Sequence, residues 1–218
     1  NGIAYLEDCL TFLKRSKGTT FETIVVDNGS TDGSTDLIKQ RFAWVKLIEL
    51  GENTGFSRAV NVGIREACTP YVLLLNNDTV TEYDFVVKLE QMMDERPEYF
   101  SISAKMLSMK QPELIDDAGD YYCALGWAFA RGKGKEAQRF TTPCDVFAAC
   151  AGASIYRREV FRQIGYFDEL HFAYLEDIDI GYRARLRGYK NGYCPEAVVY
   201  HAGSASSGSR YNEFKVNL

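Results

Sequence analysis

Short apolar runs alternate with helix-like segments along the first two-fifths of the chain. The strand-like runs cover residues 23–26, 44–50, 71–75 and 99–104, and the helix-like runs cover about 32–42, 56–67 and 84–96. Strands that alternate with helices of this length usually pair in parallel within an α/β sheet. The sequence therefore predicts an α/β fold with a mostly parallel, mixed central sheet that is flanked by helices.

The second half of the chain has a different pattern. After residue 105 the apolar pieces are shorter, a Gly-rich loop covers 131–135, and one clear helix is predicted over 176–187. A chain of 218 residues has room for one large domain. We predict a single domain over 1–218, with a first half at about 1–104 and a second half at about 105–205 that completes a cleft. A flexible tail is expected at 206–218, after a small-residue run at 202–209 that is typical of a mobile loop.

Charge and cysteine content bear on partners and location. The net charge is −5 and the pI is about 5.2, so we expect no nucleic-acid partner. Six cysteines are scattered without a C-x-x-C pair, which favours reduced thiols and a cytoplasmic location. The longest strongly apolar run is 71–75, far short of the ~20 residues that cross a bilayer. A chain without a membrane-spanning segment can still associate peripherally with the inner face of a membrane. The sequence does not indicate the oligomeric state.

Two of the predicted strands are followed by aspartates. Asp27 comes directly after 23–26, and Asp78 follows 71–75 through Asn76 and Asn77. Alone, each pattern is also typical of a turn or a helix cap. In parallel strands both ends lie at the edge where open α/β sheets bind ligands. There one aspartate can hydrogen-bond a ligand, while the oxygens of Asn76 and Asp78 suit Mg²⁺ or Mn²⁺.

A second group of polar residues lies in the other half. Glu176, Asp177 and Asp179 begin the predicted helix, and three acids in four residues exceed what helix capping needs. One of them in a cleft could take a proton from a hydroxyl group. His201 follows the apolar run 198–200 and is a candidate ligand, whereas His171 lies among aromatic residues and is more typical of packing.

Six motifs occur in an order that resembles one enzyme family. They are V-V-D-N-G-S-T-D-G-S (25–34), E-N-T-G-F-S-R-A-V-N-V-G-I (52–64), L-L-L-N-N-D-T (73–79), C-A-G-A-S-I-Y-R-R (150–158), G-Y-F-D-E (165–169) and Y-L-E-D-I-D-I-G-Y-R-A-R-L-R-G-Y (174–189). Together, over about residues 1–205, they resemble the family-2 glycosyltransferases. The most similar subgroup is the bacterial rhamnosyl- and galactofuranosyltransferase-like one.

The resemblance implies a GT-A fold in which the family's first strand has no counterpart in this chain, and a nucleotide-binding role for the half at about 1–104. It also implies inverting transfer of a sugar from a nucleotide-diphosphate sugar, such as a UDP- or dTDP-sugar, to a hydroxyl of a glycan or a lipid-linked acceptor. Mg²⁺ or Mn²⁺ would assist the departure of the diphosphate.

Site residues follow from the matching positions. Asp177 would be the catalytic base, with Glu176 beside it. Asp78 and His201 would bind the metal, and Asn76 would be a weaker ligand because it replaces the first aspartate of the family's D-x-D motif. The residues expected to contact the donor are Asp27, which would bind the nucleotide base, and Asn28, Ser30, Asn53, Arg58 and Asn77.

Two other functions stay open at this point. A transferase-like module that binds a nucleotide-sugar or glycan without turnover is compatible with Asn76 and with the expected absence of the first strand. A nucleotidyltransferase is less compatible, because the chain has no Gly-rich basic phosphate loop near its start, and no G-x-G-x-x-G motif supports a dehydrogenase. Loop 131–135 is expected to be solvated. Four aromatic residues could stack on an acceptor sugar, although such residues are more often core: Tyr121, Tyr122, Trp127 and Phe129.

Overall fold

Helices and strands alternate through most of the computed structural model, which describes residues 1–203. The helices are α1 (Ile3–Lys14), α2 (Ser34–Arg41), α3 (Phe56–Glu66), α4 (Phe85–Glu95), α5 (Phe161–Ile164) and α6 (Glu176–Leu186). The strands are β1 (Thr23–Asp27), β2 (Val45–Glu49), β3 (Tyr71–Leu75), β4 (Thr79–Thr81), β5 (Tyr99–Ser108), β6 (Ile115–Asp117), β7 (Asp120–Tyr122), β8 (Ala128–Ala130), β9 (Cys144–Val146), β10 (Ala153–Arg157) and β11 (Lys190–His201).

The main sheet is mixed. Its strand order is β3-β10-β5-β11-β4, with β6 added at β5 and β9 at β11. This confirms the α/β class and the mixed central sheet. Parallel pairing, however, is limited to β1–β2 and β5–β11 among the described strands, and β10 runs antiparallel to both of its neighbours. The prediction of a mostly parallel sheet fails because β10, from the second half of the chain, lies between β3 and β5.

Strands β1 and β2 form a separate parallel pair. Within residues 1–203, β1 pairs only with β2, and the end strand β3 of the main sheet pairs only with β10. The edges of β1 and β3 are therefore both unpaired, and residues of both strands border the same cavity. Asp27 ends β1, and the turn 76–78 follows β3, so both predicted aspartates lie at strand ends.

Helix α1 is absent from the sequence-based prediction, although its apolar spacing is helical. Leu6, Cys9, Leu10 and Leu13 are its buried residues. They recur at intervals of three and four residues, which places them on one face of a helix. Leu6 and Leu10 pack against α2 and the layer that covers β1 and β2, whereas Cys9 lies at β4 and Leu13 joins the core of the main sheet.

Two apolar cores hold the main sheet. In the first, Phe85, Leu89 and Met93 of α4 are fully buried with Ile102 of β5. The second centres on Phe100, whose ring makes edge contacts with two neighbouring aromatic rings at 5.2 and 5.3 Å. Strands from both halves of the chain therefore share one sheet and its cores.

Among residues 1–203, no helix is both long and apolar enough to cross a membrane. The predicted tail at 206–218 and most of the 202–209 run lie outside the described residues.

Helix α6 makes a close contact at Gly181. A Cβ atom on Gly181 would lie 2.6 Å from the Cβ of Ala148. Asn191 of β11 ties the same two segments together, because its amide nitrogen donates to the carbonyl oxygens of Phe147 at 2.6 Å and of Gly181 at 3.2 Å. The absence of a side chain at position 181 therefore fixes how closely α6 approaches residues 147–151.

Gly181→Ala should destabilise the fold by about 1–3 kcal/mol, because the new methyl group overpacks against Ala148. Elsewhere in a helix, replacing glycine by alanine stabilises the fold by about 1 kcal/mol. At position 181 we expect the opposite effect, a loss of stability. Gly63→Ala in α3 is the matched control, since its Cβ would lie at an ordinary 3.4 Å from Val26. Urea denaturation measures both variants. A Gly181→Ala protein as stable as the unmodified chain would contradict the contact.

Candidate active site

One cavity of about 1720 Å³ collects side chains that are far apart in the sequence. Asp27 from the end of β1, Asp78 after β3, Asp177 at the start of α6 and His201 at the end of β11 all line it. The other predicted residues that line the cavity are Asn28, Ser30, Asn53, Asn76, Asn77 and Glu176. Residues from both halves of the chain thus meet at one site.

Asp27 lies at the β1 end of the cavity. Its Oδ2 accepts a hydrogen bond from the backbone N–H of Ser30 at 3.0 Å, which orients the carboxylate. The tight turn depends on Gly29, which has φ +76° and whose Cβ would lie 2.7 Å from the carbonyl carbon of Glu52. A side chain at position 29 would thus push the turn away from the loop that carries Asn53.

The side chain of Asn28 holds this loop. Its amide nitrogen donates to Asn53 Oδ1 and to the carbonyl of Gly55, both at 3.0 Å. Its amide oxygen accepts from the N–H of Thr54 at 2.8 Å and from the Thr54 hydroxyl at 3.0 Å. An asparagine amide has two donor hydrogens and two acceptor positions, and all four are used here. The Asn28 side chain therefore holds loop 53–55 at the cavity, and its contact with the donor stays a prediction.

Arg58 is the one predicted site residue outside the cavity lining. It lies in the first turn of α3 and is exposed, because its neighbours Ser57 and Ala59 are the buried residues of that turn. The structure therefore does not bring Arg58 to the cavity. Asn77 is also exposed but lines the cavity, and Asn76 lies beside Gly152 at the end of β3.

His201 lies between two carboxylates. Its Nε2 is 3.2 Å from Asp78 Oδ1, and its Nδ1 is 2.7 Å from Asp116 Oδ2. Asp116, in β6, is a site residue that the sequence analysis missed. The second oxygen of Asp116 lies 2.8 Å from the Lys133 ammonium. Loop 131–135 is therefore only partly solvated as predicted, because Lys133 lines the cavity and Arg131 lies over two aromatic rings.

The two carboxylates shift the protonation of His201. Burial lowers the pKa of His201, but the hydrogen bonds and charges of Asp116 and Asp78 outweigh that effect and raise its pKa to about 9. Burial likewise raises the pKa of Asp116, and the hydrogen bonds from His201 and Lys133 overcome it and lower the pKa to about 2. Asp116 therefore orients the imidazole so that Nε2 faces Asp78.

Glu176 and Asp177 begin α6 directly after an uncommon backbone turn. Tyr174 and Leu175 both have left-handed φ values, 71° and 66°. Such values are unusual for residues other than glycine and often occur at functional sites. The Asp177 carboxylate accepts from the N–H groups of Ile178 at 2.8 Å and Ala151 at 3.4 Å. Burial raises the pKa of Asp177, and these N–H groups oppose the shift.

Further acids surround Asp177. One ligand atom from each of Asp117, Asp120 and Cys150 lies within 4.8 Å of the others, and we call these residues the Asp–Cys cluster. Burial raises the pKa of Asp117 and of Asp120, and the charge of Asp177 adds to both shifts. The sequence analysis missed both aspartates, since they lie in short irregular strands. Their spacing, D-D-A-G-D over 116–120, was the available signal.

Comparison with known proteins identifies the family. Residues 1–165 match the family Glycosyl transferase family 2. An N-acetylglucosaminyl-diphospho-decaprenol L-rhamnosyltransferase of Mycobacterium tuberculosis is 28% identical over 228 residues, covering 94% of this chain and 74% of that protein.

Solved structures agree on the fold. A structure of GalNAc-T7 with UDP, GalNAc and Mn²⁺ matches with a TM-score of 0.75 at 16% identity, covering 92% of this chain and 41% of that one. A mannosyltransferase of Pyrobaculum calidifontis with GDP-Man and Mn²⁺ matches with a TM-score of 0.68 at 16% identity, covering 94% and 55%. These likenesses confirm the GT-A fold. The chain belongs to glycosyl transferase family 2, which confirms the family and the enzyme class predicted from its motifs.

Proposed function

We propose that this chain transfers a sugar, with inversion, from a nucleoside-diphosphate sugar to a hydroxyl group, and that Asp177 is the general base. One observation carries the proposal: Asp27, Asp78, Asp177 and His201 come from four separate parts of the chain and line a single cavity. The cavity is large enough for a nucleotide-sugar and an acceptor together, since ligand pockets typically measure about 300–1,000 Å³.

The donor side of the proposal is the β1 end of the cavity. Asp27 would accept a hydrogen bond from the nucleotide base, and Ser30 and Asn53 border the same space. Asn77, exposed beside Asp78, would face the diphosphate. The Mycobacterium relative is named a rhamnosyltransferase, and two solved relatives hold UDP or GDP-Man. These names support a nucleotide-sugar donor, with UDP- and dTDP-sugars as the first to test.

The donor set at Asp78 and His201 fits a divalent cation. A buried carboxylate oxygen and an imidazole nitrogen lie 3.2 Å apart at the cavity wall, and Asp116 holds the other imidazole nitrogen. Such a carboxylate behind a histidine is the usual second partner of a metal-binding imidazole. Asp78 and His201, with Asn76 as a weaker ligand, would hold Mg²⁺ or Mn²⁺. Bound there, the cation would stabilise the negative charge of the departing diphosphate.

Asp177 would act on the acceptor. Its carboxylate takes the proton of the acceptor hydroxyl while that oxygen bonds to the anomeric carbon, and the bond from this carbon to the diphosphate oxygen breaks. The electron pair of the broken bond leaves with the nucleoside diphosphate. Glu176 lies beside Asp177 and is 6% exposed, so it would border the base in the protein interior rather than face bulk water.

The acceptor and the location belong to the proposal as well. The rhamnosyltransferase relative is named for a lipid-linked diphosphate substrate, which supports a glycan or lipid-linked acceptor here. Transfer to such an acceptor fits a cytoplasmic location at the inner face of a membrane, where the chain would associate peripherally.

Asp177→Asn should lower the transfer rate by about 10²–10⁴-fold, because it removes the proton acceptor while keeping the side-chain shape. Release of UDP or dTDP from a panel of nucleotide-sugars measures the rate. Asp179→Asn is the control: it lies in the same helical turn but does not line the cavity, so its rate should stay within about threefold. If Glu176→Gln loses more activity than Asp177→Asn, the base is misassigned.

Mn²⁺ and UDP or dTDP together should raise the melting temperature by about 5–10 °C when the nucleotide is at about 100 times its Kd. Asp78→Ala and His201→Ala should lose the part of this shift that depends on Mn²⁺. His171→Ala, at the other histidine of the chain, should keep it because His171 does not line the cavity. An equal Mn²⁺-dependent shift in all of these variants would place the cation elsewhere.

The carboxyl groups around Asp177, the proposed base, hold protons in the folded chain. Burial raises the pKa values of Asp117, Asp120 and Glu176, and the charge of Asp177 adds to each shift. An unfolded carboxyl group releases its proton near pH 4. Above that pH the folded chain therefore binds more protons than the unfolded chain, and its stability falls as the pH rises.

Asp120→Asn should make this fall shallower. Each retained proton costs about 1.4 kcal/mol of stability per pH unit, and the variant removes one titrating group. The variant should therefore gain more stability over the unmodified chain at pH 8 than at pH 5. Denaturation curves at both pH values measure this, and identical pH slopes for the two proteins would show that Asp120 holds no proton in the folded chain.

A further inference from the structure

Three stacked aromatic rings lie beside the Asp–Cys cluster. Tyr122 stacks on Phe147 with ring centroids 4.9 Å apart, and Phe147 stacks on Tyr182 of α6 at 5.9 Å. We call Tyr122, Phe147 and Tyr182 the aromatic row. Tyr122 and Tyr182 remain 42% and 48% exposed, so the two ends of the row offer ring surface to a ligand. The three rings do not line the cavity themselves, whereas Cys150 and Ala151 of the adjoining segment do.

The backbone fixes the row next to Asp120. The N–H of Asp120 donates to the carbonyl of Ala148, and the N–H of Phe147 donates to the carbonyl of Asp120, both at 2.9 Å. Asp120 and Tyr122 are two residues apart in β7, so their side chains lie on the same face of that strand. A carboxyl group therefore lies at the inner end of the row.

One short segment leads from the row to the base. Phe147 is in the row, Cys150 is in the Asp–Cys cluster, and Ala151 donates its N–H to the Asp177 carboxylate at 3.4 Å. Four residue steps span at most about 14 Å. Residues 147–151 therefore lead from the aromatic row, past the Asp–Cys cluster, to the N–H group that binds the base.

A buried acceptor atom next to the base has no partner. Within residues 1–203, Oε2 of Glu176 is buried without a hydrogen bond. Glu176 is 6% exposed and lines the cavity. An unsatisfied buried carboxylate oxygen is costly and is usually explained by a missing polar partner. A hydroxyl group placed between the row and Asp177 would supply that partner.

We propose that the aromatic row and Asp120 bind an uncharged sugar ring of the acceptor and so direct its chain toward Asp177. This inference rests on the proposed function and specifies its acceptor. The C–H face of a sugar ring packs on an exposed tyrosine ring, while its hydroxyls hydrogen-bond to Asp120 and Glu176. An anionic sugar would be repelled by the negative charge of the Asp177 base.

The row differs from the aromatic set suggested by the sequence. Only Tyr122 belongs to both. Tyr121 lies on the other face of β7, where it makes an edge contact with Phe129 at 5.7 Å and accepts a hydrogen bond from Arg131 at 3.2 Å. Trp127 is 73% exposed in the β7–β8 turn and does not belong to the row.

Saturation-transfer NMR tests the proposal on the full chain with the diamagnetic Mg²⁺ and UDP or dTDP bound. The probes are neutral methyl glycosides, methyl glucuronoside as the anionic comparison, and hexanol as an apolar alcohol. We expect transfer to the ring C–H protons of the neutral glycosides. Tyr182→Ala and Tyr122→Ala should each weaken their binding by about fivefold, and Asp120→Ala should weaken it similarly. Tyr83→Ala is the control, because Tyr83 is 61% exposed but belongs to neither the aromatic row nor the Asp–Cys cluster.

Each other outcome overturns the proposal. Stronger binding of glucuronoside or hexanol would assign the surface to another ligand, and loss of binding in Trp127→Ala alone would place the sugar elsewhere on the hairpin. Zn²⁺ binding that Cys150→Ser abolishes, with no glycoside binding, would make the Asp–Cys cluster a metal site. The nucleotide-dependent melting shift is read in the same samples. If it persists while glycosides fail to bind, only this inference fails, whereas its absence would refute the proposed function.

Discussion

Buried carboxyl groups crowd the cavity, and their charge decides what each neighbouring group must do. A chain of net charge −5 places Asp78, Asp116, Asp117, Glu176 and Asp177 along one cavity. Burying charges without partners is expensive, so each acid must gain a cation, a proton or a hydrogen bond. The imidazole of His201 and the ammonium of Lys133 serve the first two acids, and protons serve most of the others. The proposed cation binding and proton transfer would thus be two responses to one electrostatic problem.

Much of the fold could be predicted from the sequence because local signals were strong. The run of β-branched residues before Asp27 and the helical pattern before Pro97 specify elements whose bounds the structure shifts by only a residue or two. Asp27, Asp78, Asp177 and His201 could be singled out because each follows a strand or begins a helix. Such positions need little tertiary information, since strand ends and helix starts are where α/β folds present side chains to a ligand.

The remaining features depend on contacts that a sequence does not display. The antiparallel insertion of β10 between β3 and β5 joins residues 72 and 156, which no local pattern links. Asp116 acquires its role only because His201 lies beside it, 85 residues later. Asn28 shows the converse, since a polar residue in a binding motif turns out to be fully occupied by its neighbours.

The separation of the β1–β2 pair from the main sheet has a mechanical consequence. Within residues 1–203 the two sheets share no ladder of backbone hydrogen bonds, yet Asp27 belongs to one and Asp78 adjoins the other. A molecule that touches both aspartates at once acts as a brace across the seam. Binding of such a molecule would then reduce the motion of one sheet relative to the other. The bound enzyme would therefore be both more stable and more rigid than the free enzyme.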